Sequence, residues 1–114
     1  MPQYMILLRN DGDPFSRLSP EEAQRTTEKY FAWRQKPFTV GGARLDHQGR
    51  VIRKQNGSVS VSDGPFSEGR EVLGGYYAIE AANFDEAVKF ALTNPHIDFG
   101  TIEVREVVPR PADK

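Results

Sequence analysis

The stretch DGPFSEGREVLGGYYAIE, residues 63–80, decides how the rest of the chain is read. It opens on turn chemistry, Asp63-Gly64-Pro65, in which an aspartate bonds backbone ahead of it and a proline stiffens the bend. It closes on a long strand, Val72 to Glu80. There Leu73, Tyr77 and Ile79 alternate with Val72, Tyr76 and Ala78, so both faces are apolar. Such a strand lies inside a sheet and needs cover on each side. Gly74 and Gly75 are costly within it and mark a bulge or the close approach of another backbone or ligand.

Working outward, Gln3 to Arg9 is a second strand apolar on both faces, stopped by Asn10-Asp11-Gly12-Asp13-Pro14. Ser19-Pro20-Glu21-Glu22 is a helix start, with Ser19 as cap, Pro20 in the first turn and Glu22 closing a capping box. The helix should run to about Lys36, before Pro37, with Ala23, Thr27, Tyr30, Phe31 and Arg34 on its apolar face. Gly41-Gly42 should open an extended segment, Ala43 to His47, followed by strands Val51–Lys54 and Ser58–Val61 joined by the hairpin signal Asn56-Gly57. Asn83 caps a second helix whose stripe is Phe84, Ala87, Val88 and Ala91, ended by Asn94-Pro95. Thr101 to Val108 is the last strand.

With the small hairpin set aside, the order is strand, helix, strand, strand, helix, strand. That is an α+β, ferredoxin-like βαββαβ unit with both helices on one sheet face. The other face is apolar and uncovered. A second copy packed sheet to sheet is the simplest cover, giving a homodimer as a dimeric α/β barrel. Residues 1–108 form a single domain and 109–114 a polar tail.

The chain has 114 residues, 15 basic and 16 acidic, with no block of like charge, which argues against nucleic-acid binding. It has no cysteine, so disulfides and thiolate chemistry are excluded. No run approaches the roughly 20 apolar residues of a membrane span. The N-terminal apolar run lacks signal-peptide flanks, and a cytoplasmic location is expected. Two isolated histidines and scattered carboxylates show no metal-ligand spacing, and no cofactor is called for.

Asp63-Gly64-Pro65-Phe66 with Glu68, Leu73-Gly74-Gly75-Tyr76 and Ile102-Glu103-Val104-Arg105 together resemble the YCII-related family, in its DGPF-domain branch. The resemblance covers nearly the whole chain, including Tyr4 to Leu8, Ser19 to Glu22, Asp85-Glu86-Ala87 and Asn94-Pro95-His96. It implies a dimeric α+β barrel. It also implies association with alternative sigma factors, beside which some relatives are encoded. More distant relatives are proposed to use a His-Asp pair with the histidine on the first helix, and one eliminates chloride from a chlorinated hydroxyquinol. Here the helix Pro20–Lys36 has no histidine, so that pair is not carried over.

The candidate catalytic residues are Asp63 and His96. Asp63 is a turn former, or a carboxylate preorganised by that turn as acid, base or anchor. His96 follows a helix stop, where it either meets the helix dipole or serves as a proton-transfer group near neutral pH. Candidate ligand-binding residues are Arg70, with its planar fork of donors, Tyr76, and the pair Glu103 and Arg105, which share one face of the last strand. Tyr4 and Tyr77 would add hydroxyls. His47 reads as surface. Three functions fit: a dimer binding a small molecule in a cavity, a cofactor-free lyase or isomerase acting on a small acidic or aromatic compound, and a sigma-factor accessory domain.

Overall fold

The computed structural model describes residues 1–12, 14–64 and 71–111. Its main sheet has four antiparallel strands in the order β2-β5-β1-β6: β1 is Gln3–Asp11, β2 Thr39–Arg44, β5 Glu71–Glu80 and β6 Thr101–Glu106. Strands β3 (Gly49–Gln55) and β4 (Ser58–Gly64) form a separate hairpin. Its turn, Asn56-Gly57, has positive φ at both residues, as a two-residue hairpin of matching twist requires. Helix α1 is Pro20–Arg34 and α2 is Phe84–Ala91. Both start as expected. Ser19 and Glu22 form a reciprocal capping box, and Asn83 accepts from the Glu86 amide.

Tyr4, Ile6 and Leu8 of β1 and Tyr77 and Ile79 of β5 meet Trp33 of α1 and Ala87 and Ala91 of α2 in one core. Trp33 anchors it. Its ring lies 4.7 Å from Tyr77 and 5.2 Å from Phe38, and its Nε1–H donates to Thr93 Oγ1 at 2.9 Å. The molecule is 19 Å through its thinnest dimension, about one sheet plus one helix layer. The opposite sheet face, bearing Met5, Leu7, Tyr76 and Ala78, is half-buried and covered by no element among the described residues.

Packing corrects two expectations and meets a third with a consequence for side-chain phase. The stretch Gly41-Gly42 does not precede β2 but lies inside it. A Cβ on Gly42 would sit 2.8 Å from the Tyr77 ring and 2.9 Å from the Tyr76 carbonyl, so the glycine is there to admit that ring. Helix α1 stops at Arg34, and it buries Thr26 and Trp33 while Phe31 is 62% exposed. The face carrying Thr27, Tyr30, Phe31 and Arg34 lines a cavity, and of these residues Tyr30 also packs against the core. Finally, the glycine pair does hold a bulge. Gly75 pairs with Leu8 and Leu73 with Arg9, leaving Gly74 as the extra residue. The strict alternation read through Val72 and Leu73 therefore changes phase: Leu73 pairs with Arg9, and Val72 with Asn10.

Candidate active site

The cavity lies on the helix side of the sheet, between α1, the lower ends of β5 and β1, and the chain from Gly42 to His47. Its volume is about 670 Å3, within the range of small-molecule sites. The buried polar side chain of its lining is His96, which is 3% exposed and lies on the 3-10 turn Pro95–Asp98. That turn is capped by Asn94, whose side-chain oxygen accepts the His96 amide.

Both imidazole nitrogens are engaged. Nε2 lies 2.8 Å from the Arg9 carbonyl oxygen, and Nδ1 lies 2.8 Å from the Tyr30 hydroxyl. A carbonyl only accepts, so Nε2 carries the proton and Nδ1 accepts from the Tyr30 O–H. The close approach to β1 depends on Gly100, where a Cβ would overlap the Arg9 oxygen and lie 2.8 Å from His96 Nε2. Burial lowers the His96 pKa below its ordinary 6.5, offset in part by the Arg9 carbonyl and by Glu71. Burial likewise raises Tyr30 well above the ordinary phenol, with Tyr77 and Asp98 adding to the shift and Arg44 opposing it. At neutral pH the site therefore holds a neutral phenol hydrogen-bonded to a neutral imidazole.

Tyr77 braces this pair. Its O–H donates to the Tyr30 carbonyl at 3.0 Å, and its pKa is pushed up to about 12 by burial, against the pull of Arg34. The Tyr30 ring is held between Phe15 and Phe99, each at 6.3 Å. Arg44 from β2 lies over the Phe15 ring at 4.7 Å. Arg34, four residues after Tyr30, reaches the same cavity from α1.

Of the residues singled out from sequence, His96 lies in this site, and Tyr77 joins it as a wall. Asp63, Tyr76, Glu103 and Arg105 lie away from it. Asp63 is in β4, paired with Arg50, its side chain 92% exposed and 3.6 Å from the Arg50 guanidinium in a surface ion pair, and it does not line the cavity; Pro65 and Phe66 of its expected turn lie outside the described residues. Tyr76, Glu103 and Arg105 sit opposite Leu7, Leu7 and Met5, on the uncovered sheet face. There Glu103 bonds Arg9 at 3.2 Å. Arg70, with Pro65 to Gly69, lies outside the described residues. His47 is exposed as expected, at the cavity rim. Tyr30 was read only as part of an apolar face and Arg44 not at all. The one sequence signal was the Tyr30–Arg34 spacing, which puts a hydroxyl and a cation on one helix face.

A family model for the YCII-related domain matches residues 3–110. The chain belongs to the YCII-related family. An uncharacterised protein of Rhizobium meliloti (strain 1021) is 36% identical over 110 residues, covering 90% of this chain and 89% of that relative. Among solved structures, the 5-chloro-2-hydroxyhydroquinone dehydrochlorinase of Burkholderia phenoliruptrix AC1100, in complex with 2,5-dihydroxybenzoquinone, superposes with a TM-score of 0.53. It is 14% identical and aligns with 98% of this chain and 99% of its own, a likeness of fold. Among the described residues no helix of this YCII-related chain is long and apolar enough to cross a membrane, and no His, Asp and Glu side chains gather into a metal cluster.

Proposed function

We propose that this YCII-related protein binds a small ring compound in the α1-side cavity and moves a proton on it without a cofactor, as a lyase or isomerase. The observation that carries this reading is the buried hydrogen bond from Tyr30 to His96 at the wall of that cavity. A substrate hydroxyl or acidic C–H bonded to Tyr30 Oη gives its proton to that oxygen as the tyrosine proton passes to His96 Nδ1. The electron pair of the broken bond stays on the substrate as a phenolate or enolate. An enolate expels a leaving group from its β carbon as an anion, in a lyase, or takes a proton at carbon, in an isomerase. A phenolate first takes the proton back at a ring carbon, and the keto form so made loses the leaving group in the same way after a second deprotonation. The imidazolium keeps its Nε2–H on the Arg9 carbonyl, and no free phenolate forms on Tyr30 at any point. General base catalysis of this kind contributes about 100- to 10,000-fold. The shared fold with a dehydrochlorinase bound to dihydroxybenzoquinone supports a small hydroxylated ring as the substrate class.

The test is incubation with chlorohydroquinone and with an enolisable cyclic diketone in deuterated water, reading chloride release and deuterium incorporation. Tyr30→Phe and His96→Gln should each lower the rate about 100-fold or more, with circular dichroism unchanged. Rates equal to the native protein's would overturn the relay.

The same reading includes a homodimer. The half-buried apolar face bearing Met5, Leu7, Tyr76 and Ala78 is the surface that a second copy would cover, sheet to sheet. Light scattering at micromolar concentration should return twice the chain mass of 12.8 kDa, and a monomer would contradict it.

A further inference from the structure

We infer that the ligand of this cavity is a planar aromatic anion, its charged group held between Arg34 and Arg44. The inference rests on the cavity being the binding site and adds the class of molecule that the site selects.

Two guanidinium groups reach one cavity from different elements, Arg34 from α1 and Arg44 from β2. Among the described residues neither forms an ion pair. Arg44 is held instead by the face of the Phe15 ring at 4.7 Å. Stacking uses the flat face of a guanidinium and leaves its in-plane N–H groups available, and those are the donors that grip a carboxylate or phenolate edge-on. Each arginine also acts electrostatically on a hydroxyl of the proposed relay. Arg44 acts on Tyr30 and Arg34 on Tyr77, in each case favouring the anionic oxygen. A negative group placed between them is therefore stabilised beside the oxygen that takes the substrate proton, and it relieves the repulsion of two cations in one cleft.

The remaining walls specify a ring. Phe31 is a large apolar side chain, 62% exposed, on the cavity side of α1, and it faces a cavity that also holds Phe15 and Tyr30. Asp46, the carboxylate at the rim, accepts the Gln48 amide within the connection from β2 to β3. It is thus engaged in a turn that its own sequence position requires. An aromatic acid satisfies both halves of this environment, whereas a neutral ring satisfies one.

The experiment is calorimetric titration of the full chain with para-hydroxybenzoate and, as an uncharged analogue of the same shape, para-hydroxybenzyl alcohol. The acid should bind roughly tenfold or more tightly than the alcohol. Arg34→Gln and Arg44→Gln should each remove about that advantage while leaving alcohol binding unchanged. Equal affinity for the two compounds, absence of binding by both, or an acid affinity insensitive to both substitutions would overturn the inference. Tyr30→Phe separates it from the relay: acid affinity should persist in that variant. Lost turnover with retained acid binding supports both readings. Acid selectivity in a protein whose turnover survives Tyr30→Phe sinks the relay alone, and turnover that depends on Tyr30 without acid selectivity sinks the anion site alone.

Discussion

Gly100→Ala is expected to cost about 2–3 kcal/mol of stability and to unseat His96 from the first strand. The new methyl group would overlap the Arg9 carbonyl oxygen and crowd His96 Nε2 at 2.8 Å. Backbone cannot yield as a side-chain tip does, so either β6 or the 3-10 turn must move away from β1. The imidazole then loses its backbone acceptor and with it the tautomer that leaves Nδ1 open to Tyr30. Three readings should change together. The melting temperature falls, the imidazole NMR signals of His96 leave the single-tautomer pattern, and turnover drops as far as in His96→Gln. A variant that keeps the native imidazole signals would refute the positioning role.

The same residue gives stability a pH dependence of known sign. Burial lowers the folded-state pKa of His96 below its ordinary 6.5, so between those two values the unfolded chain binds more protons than the folded one. Stability therefore rises with pH across that window and falls as pH drops from about 6.5. The urea midpoint of the native protein should show this slope. Gly100→Ala, with its imidazole released to water, should show less of it.

Trp33→Ala should be the most damaging core substitution, at about 3–5 kcal/mol. Total stability for a domain of this size is about 5–15 kcal/mol, so the variant should lose roughly 10 °C or more of melting temperature. The indole is 3% exposed, faces Tyr77 at 4.7 Å and Phe38 at 5.2 Å, and bonds Thr93. Its removal opens a cavity under both helices and frees the ring that braces Tyr30. Trp33→Phe restores most of the contact area and omits the hydrogen bond. The Thr93 hydroxyl still donates to the Phe90 carbonyl at 2.6 Å, so that variant should lose only about 1 kcal/mol. Similar losses in the two variants would show that the hydrogen bond, not the packing, anchors the core.

What could be read from sequence was whatever is written in local chemistry. Ser19 and Asn83 announced their helices because a cap is satisfied within three residues, and Asn56-Gly57 announced the hairpin because its turn needs positive φ at both residues. The bulge was legible as a glycine pair, but its effect on side-chain phase was not, since that depends on which residue of β1 it faces. Helix α1 was misphased because it has two apolar tasks, a core on one side and a cavity on the other, and composition does not separate them. His96 was legible as a titratable group after a helix stop. Its partner is 66 residues away, and no spacing rule connects the two. Asp63 carries a turn-forming sequence, and its side chain points to solvent beside Arg50, a direction that local chemistry does not specify.

Arg9 makes two attachments, one by backbone and one by side chain. Its carbonyl holds the imidazole of His96, and its guanidinium reaches Glu103 on the uncovered face. A sheet is a single layer of peptide, so between these two attachments lies one residue and no intervening packing. A contact on the uncovered face that displaced the Arg9 backbone would therefore displace the acceptor of the His96 Nε2–H as well. Through Arg9, the uncovered face and the His96–Tyr30 pair are joined by a single residue.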